Sequence, residues 1–444
     1  MEPMTEAVLR GAAPDELSRI PVPDDFLAAH LRQEDAGIFM DMDSASKDVR
    51  KSVRVGRVPM PELAPDEALV AVMASSINYN TVWSAMFEPI STFDALKRMA
   101  RAGGWNARHD QPFHVLGSDA AGVVVRVGSG VRRWKVGDHV SVAPLVADAE
   151  DPRTHADSML SDMQAWGYET NFGGLAHYTL VRSSQLMPKP AHLTWEEAAC
   201  IPLCGGTSYR MLIGEHGARM KQGDIVLIWG ATGGLGSFAV QMVKNGGGIP
   251  IGVVSSEHKA EIARKLGCEV VINREEIGIG VQPEPGPATA KLAKRLGRAI
   301  REAVGEDPHI VFDYVGRATF GMSVIVARRG GAVVTCGSSS GFEHSYDNRY
   351  FWMNLKRIIG SHGMNLREAT ETMRLSALGK LSPVLSAVYP LAEAGEATRL
   401  VQKNAHTGKV GVLCMAPEEG LGVTDHQLRA RLGEQTLNPL RSAQ

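Results

Sequence analysis

The run Gly230-Ala231-Thr232-Gly233-Gly234-Leu235-Gly236 lies between an apolar stretch, Ile225–Trp229, and a helical one, Leu235–Lys244. Glycines at this spacing let the backbone turn tightly and approach a pyrophosphate, whose charge is then met by the helix N-terminus. A plain strand–helix turn is the alternative. The strand before and the helix after favour a dinucleotide site, with Gly230, Gly233, Gly234, Leu235 and Gly236 as its cofactor-binding residues. A second apolar run, Ile249–Val254, ends in Ser255-Ser256-Glu257-His258-Lys259. Sites for NAD usually carry a carboxylate at this tip for the ribose 2′-hydroxyl, and it would repel a 2′-phosphate. Ser255 and Lys259 point instead to NADPH. Glu257 argues the other way, and a solvent-facing Lys259 is the competing reading.

The elements that position these residues follow from the rhythm of the chain. From Ser52 to Ser183, short apolar runs (Ala68–Met73, Gly122–Val127, His139–Val142, Ala176–Val181) are broken by Gly, Pro and Asp, the pattern of a β-rich domain. From Gly223 strands alternate with helices: the helix His258–Leu266 and the strands Glu269–Ile272, His309–Phe312 and Ala332–Thr335 continue the first βαβ unit. That order predicts a parallel sheet covered on both faces. Gly278–Pro287 reads as a surface loop before a helix over 288–304, whose Lys291, Lys294, Arg295, Arg298 and Arg301 form a solvated face or, less favoured, touch a ligand phosphate.

A length of 444 residues implies two domains. With 47 basic and 49 acidic residues the formal charge is −2, which argues against broad capture of nucleic acid or anionic membrane. The five cysteines, at 200, 204, 268, 336 and 414, fit a reducing, cytoplasmic setting; no signal peptide and no apolar run long enough to span a bilayer is read from the sequence.

Several long segments together resemble the crotonyl-CoA carboxylase/reductase family: Ser75–Pro89, Trp166–Gly174, Ile228–Gly236, Tyr346–Asn365 and Gly408–Gly420. The family is the reductive-carboxylating, zinc-free branch of the medium-chain dehydrogenase/reductases. The resemblance implies an α/β chain with a β-rich GroES-like catalytic domain and a doubly wound Rossmann domain. We place these at residues 1–206 and 207–358, with 359–444 returning to the catalytic domain and the active site in the cleft. It also implies NADPH-dependent hydride transfer to the β-carbon of a 2-enoyl-CoA and capture of CO₂ at the α-carbon. The product is an alkylmalonyl-CoA, an extender unit for polyketide biosynthesis. A non-carboxylating enoyl-CoA or quinone reductase is the first rival, and a catalytically silent NADPH-binding protein the second. A homodimer or homotetramer is expected by analogy.

By the same resemblance Asn78 offers its amide to CO₂, the Tyr168-Glu169 step adds a backbone N–H, and Glu169 with His362 holds an ordered water; the alternatives are a turn residue for Asn78, a core aromatic for Tyr168, a surface acid for Glu169 and a structural histidine for His362. Arg349 contacts the CoA nucleotide, a structural pair with Asp347 being the alternative. Thr207, Ser338 and Ser339 line the nicotinamide pocket, and Lys409 is read as no more than a strand end. No metal is expected, since residues 1–199 lack cysteine and Gly117-Ser118-Asp119-Ala120-Ala121-Gly122 replaces the Gly-His-Glu of zinc-dependent relatives. The chain departs from short-chain members at Ala165 and Gly363, where they carry bulky side chains. Both changes point to a longer acyl chain, of about six to eight carbons or branched, unless neighbours such as Met364 fill the space. His177 replaces a common Glu, and the 278–289 stretch is short, which puts its CoA contacts in doubt.

Overall fold

The computed structural model describes residues 3–280 and 287–441. It divides into two compact units, Met1–Leu203 with Asn365–Gly379 and Leu385–Arg441, and Cys204–Met364 with Lys380–Val384. His362 and Gly363 thus fall in the second unit.

In the first unit, a sheet runs in the order Leu186–Pro188, His139–Val142, Ala120–Val127, Glu67–Ile77, Lys409–Leu413, Leu385–Pro390, and Tyr178–Arg182 also pairs with the central strand. Every residue of Glu67–Ile77 is buried, because partners and helices cover both its faces. Its end is where distant parts of the chain meet: Ser75 pairs with Ala120 on one side, and Ile77 with Val410 on the other. A three-stranded sheet, Arg54–Pro59, Asp25–Arg32 and Phe113–Val115, and a two-stranded ribbon, Leu145–Val146 with Gln164–Ala165, complete the unit.

The second unit is a six-stranded parallel sheet ordered Val270–Asn273, Ile249–Val254, Ile225–Trp229, Ile310–Phe312, Ala332–Thr335, Arg357–Gly360. The order reverses beside Ile225–Trp229, and in such sheets ligands bind at the carboxyl ends of strands at that switch point. The helices Gly234–Asn245, Glu257–Lys265, Pro287–Val304 and Phe320–Val326 connect the strands. Pro287–Val304 buries Ala293, Leu296, Gly297 and Ile300 and leaves all five of its basic side chains exposed, the solvated face of the sequence reading. Residues 281–286 of the expected 278–287 loop lie outside the described residues. None of the five cysteines is in a disulfide, and four of them are buried.

Candidate functional site

In the second unit Gly230 has φ +61° and Gly233 is the N-cap of the helix Gly234–Asn245. A Cβ on Gly236 would collide with the Gly230 carbonyl oxygen, and one on Gly230 would lie 2.7 Å from the Tyr314 hydroxyl. The turn is therefore closed to larger residues. Its helix N-terminus is the positive end of the backbone dipole, which suits a pyrophosphate. Tyr314 extends past the strand Ile310–Phe312 and donates to the Gly230 carbonyl at 2.8 Å. Neighbouring Asp313, fully buried, is fixed by Thr319 and Ser323 hydroxyls and by the Val315 and Gly316 N–H groups. Sequence reasoning did not single out either residue.

At the second strand tip the Ser256 side chain caps the next helix by accepting from the Lys259 N–H at 3.3 Å, which leaves Ser255 and Lys259 at the tip, both half-buried. Glu257, the residue that argued for NAD, is exposed and pairs with Arg264 at 2.6 Å along its own helix. Thr207 is buried in the helix Pro202–Leu212, and Ser338 bonds His344 at 2.6 Å. The Ser339 N–H reaches the Tyr314 carbonyl at 3.5 Å. Arg349 is exposed, and its guanidinium is engaged in a forked pair with Asp347 at 2.6 and 3.0 Å, the alternative of the sequence reading. His362 is exposed, Gly363 has φ +49°, and Met364 is buried and packs where a side chain on Gly206 would stand.

In the first unit Asn78, Asp119 and Lys409 form one buried polar cluster. Asn78 Nδ2 donates to Asp119 Oδ2 at 2.7 Å, while Lys409 Nζ donates to Asn78 Oδ1 and lies 3.1 Å from Asp119 Oδ2. Ser76 Oγ donates to the same carboxylate oxygen at 2.7 Å, and the Leu203 N–H to the other at 2.9 Å. Lys409 is more than a strand end: it supplies the cation that a buried carboxylate needs. No local pattern in the sequence signals this, because the partners come from opposite ends of the chain.

The Asp119 loop also carries the second candidate segment. Gly167, with φ +70°, lies so close to the Gly117 carbonyl that no Cβ fits, and the Gly173 and Gly174 N–H groups bond Val115 and Gly117 at 3.1 and 2.9 Å. Within this turn the N–H groups of Tyr168 and Glu169 both donate to the Ala165 carbonyl, at 3.2 and 2.8 Å, and Glu169 Oε2 accepts from the Ala165 N–H at 2.8 Å. The N–H groups assigned by resemblance to CO₂ are here satisfied inside the turn, so Asn78 is the member of the set with its amide anchored by side chains. Burial, with the Glu169 charge second, pushes the Tyr168 hydroxyl pKa up. His177, at the position of a common Glu, adds backbone bonds to Leu27 and Val72, each at 2.9 Å.

Two buried histidines brace the turn. His109 accepts from the Asn171 N–H at 3.1 Å, and His114 contacts the Thr92 hydroxyl at 2.9 Å. Burial lowers their pKa values to about 3 and about 4 respectively, so both are neutral. Among the described residues no group of three or more His, Cys, Asp or Glu is placed to hold a metal.

The fold and the glycine turn define a medium-chain dehydrogenase/reductase. Residues 64–191 match the family described as alcohol dehydrogenase GroES-like domain, and residues 234–378 the one described as zinc-binding dehydrogenase. The chain is 51% identical to crotonyl-CoA reductase of Streptomyces collinus over 95% of each protein, and 38% identical to crotonyl-CoA carboxylase/reductase of Cereibacter sphaeroides over 90% of each. It superposes on the 2-octenoyl-CoA carboxylase reductase CinF, solved with NADP and 2-octenoyl-CoA, with TM-score 0.96 and 64% identity over 99% of both chains. CinF comes from a Streptomyces species. The chain belongs to the crotonyl-CoA carboxylase/reductase family.

Proposed function

We propose that this enzyme is an NADPH-dependent reductive carboxylase of a 2-enoyl-CoA with a medium-length acyl chain, of about eight carbons by analogy with CinF. The observation that carries the reading is the agreement with CinF over 99% of both chains, at 64% identity. The glycine turn fits the pyrophosphate of a dinucleotide, and the absence of a strand-tip carboxylate fits a 2′-phosphate held near Ser255 and Lys259. When bound, NADPH supplies the hydride that adds to the β-carbon. The electron pair released to the α-carbon forms the new bond to CO₂, whose carbon becomes the carboxylate of the alkylmalonyl-CoA.

CO₂ is neutral and weakly held, so the protein must aim donors at its oxygens and keep out water that would protonate the enolate. Asn78 is the proposed donor, its amide orientation set by Lys409 and Asp119, with Glu169 and His362 in the proposed role of holding a water beside the same oxygens. Thr207, Ser338 and Ser339 border the nicotinamide, and Arg349 exchanges Asp347 for a CoA phosphate. Ala165 and Gly363 leave room for the acyl chain. The product serves as a polyketide extender unit, and the enzyme works in the cytoplasm as a homodimer or homotetramer. No helix among the described residues is long and apolar enough to cross a membrane. Incubating enoyl-CoA thioesters of increasing length with NADPH, with and without bicarbonate, and weighing the products tests the proposal. Carboxylated product at octenoyl-CoA supports it, and saturated acyl-CoA alone returns the chain to the non-carboxylating reductases.

A further inference from the structure

We infer that Lys409 and Asp119 are positioning residues for carboxylation, an ion pair that fixes which end of the Asn78 amide faces the reacting atoms. The inference rests on the proposed role of Asn78 toward CO₂. The amide oxygen and nitrogen of asparagine are nearly the same size, so packing cannot choose between the two orientations and only charge can. Here the choice is imposed from both sides. The ammonium of Lys409 donates to Asn78 Oδ1, and the carboxylate of Asp119 accepts from Asn78 Nδ2 at 2.7 Å. Turning the amide over would set its oxygen against the carboxylate and its NH₂ against the ammonium, in a site where all three side chains are at most 3% exposed. Low local dielectric magnifies both penalties.

The pair is itself held rigidly. Lys409 Nζ also donates to the Ile77 carbonyl at 3.0 Å, and Asp119 accepts from Ser76 and from the Leu203 N–H. Lys409 opens the strand that pairs with the end of Glu67–Ile77, and Asp119 precedes the strand on its other side, so the sheet sets the spacing. The ammonium on Oδ1 and the carboxylate on Nδ2 together hold the amide in one orientation. The cluster therefore acts on the step that needs this donor, CO₂ capture, in preference to hydride addition at the β-carbon.

Lys409→Met alone would leave Asp119 charged and buried without its cation, a change that threatens folding. The test therefore uses the neutral pair Lys409→Met with Asp119→Asn, which keeps volume and removes both charges, beside Asn78→Ala and the wild type. The readout is the ratio of alkylmalonyl-CoA to saturated acyl-CoA from 2-octenoyl-CoA, NADPH and bicarbonate. A loss of folded enzyme lowers both products and leaves this ratio untouched. The expected result is a ratio lowered about tenfold in the neutral pair as in Asn78→Ala, the loss of a charge-assisted hydrogen bond. A lowered ratio in Asn78→Ala with a wild-type ratio in the neutral pair overturns the inference. A wild-type ratio in Asn78→Ala overturns the role of Asn78 itself, and the positioning role with it.

Discussion

The Tyr314 hydroxyl donates to the Gly230 carbonyl at 2.8 Å and also occupies the place a Cβ on Gly233 would need. One side chain thus closes the glycine turn and forbids a side chain there. Gly233→Ala should raise KM for NADPH about tenfold or more, equivalent to ~1.4 kcal/mol or above. Adding Tyr314→Phe should restore part of the loss, because the clash is with the hydroxyl. Cofactor titration of the two variants checks this, and a double variant no better than Gly233→Ala contradicts it.

Cofactor choice follows from the second strand tip. Glu257 is turned along its helix by Arg264 at 2.6 Å, and Ser255 and Lys259 are the residues proposed to meet the ribose. Lys259→Ala should lower kcat/KM for NADPH by about 10- to 100-fold, the ~1.5–3 kcal/mol of a charge-assisted contact, and leave NADH turnover nearly unchanged. An unchanged kcat/KM for NADPH would place Lys259 on the solvated helix face.

Acyl-chain selection can be probed at Ala165 more cleanly than at Gly363. Gly363 has φ +49°, so Gly363→Phe would force a bulky side chain into the left-handed region at a cost of about 1–2 kcal/mol, mixing instability with any change in pocket size. Ala165 ends a short strand and takes part in the turn through its backbone alone, so Ala165→Leu adds volume only. Three or four extra methylenes contribute ~2–3 kcal/mol, so the wild type should favour octenoyl- over crotonyl-CoA by about 30- to 150-fold in kcat/KM. Ala165→Leu should shrink that preference. A wild type that favours crotonyl-CoA defeats the reading.

The histidines under the Trp166–Gly174 turn predict an acid sensitivity. His109 and His114 have folded-state pKa values of about 3 and about 4, below the 6.5 of the unfolded chain. Below pH 6.5 the unfolded state binds more protons, so stability present above 6.5 is lost as pH falls toward 4, by about 3 kcal/mol for His114 alone. Tm measured between pH 7 and 4.5 should fall. His109→Gln, which keeps an acceptor for the Asn171 N–H and does not titrate, should flatten the slope. An unchanged slope contradicts the assignment.

What the sequence made legible and what it hid divide along physical lines. The glycine turn could be read because one short segment carries the whole requirement: a strand, a tight backbone turn and a helix start. At the second strand tip Ser255, Glu257 and Lys259 were legible as residue types, whereas the pairing of Glu257 with Arg264 needed the helix to be seen. Lys409 looked like a strand end because its partners, Asn78 and Asp119, lie roughly three hundred residues earlier and meet it only through strand register. The Tyr168-Glu169 step was read as offering backbone donors, whereas the tight turn after Ala165 uses those N–H groups internally. Arg349 was read toward phosphate, and its nearer partner is the Asp347 that caps its own helix.

The most direct test of the account is the mass of the product formed from 2-octenoyl-CoA and NADPH in isotopically labelled bicarbonate. Hexylmalonyl-CoA carrying one labelled carboxylate is the predicted result. Octanoyl-CoA as the sole product, at every bicarbonate concentration, would contradict it.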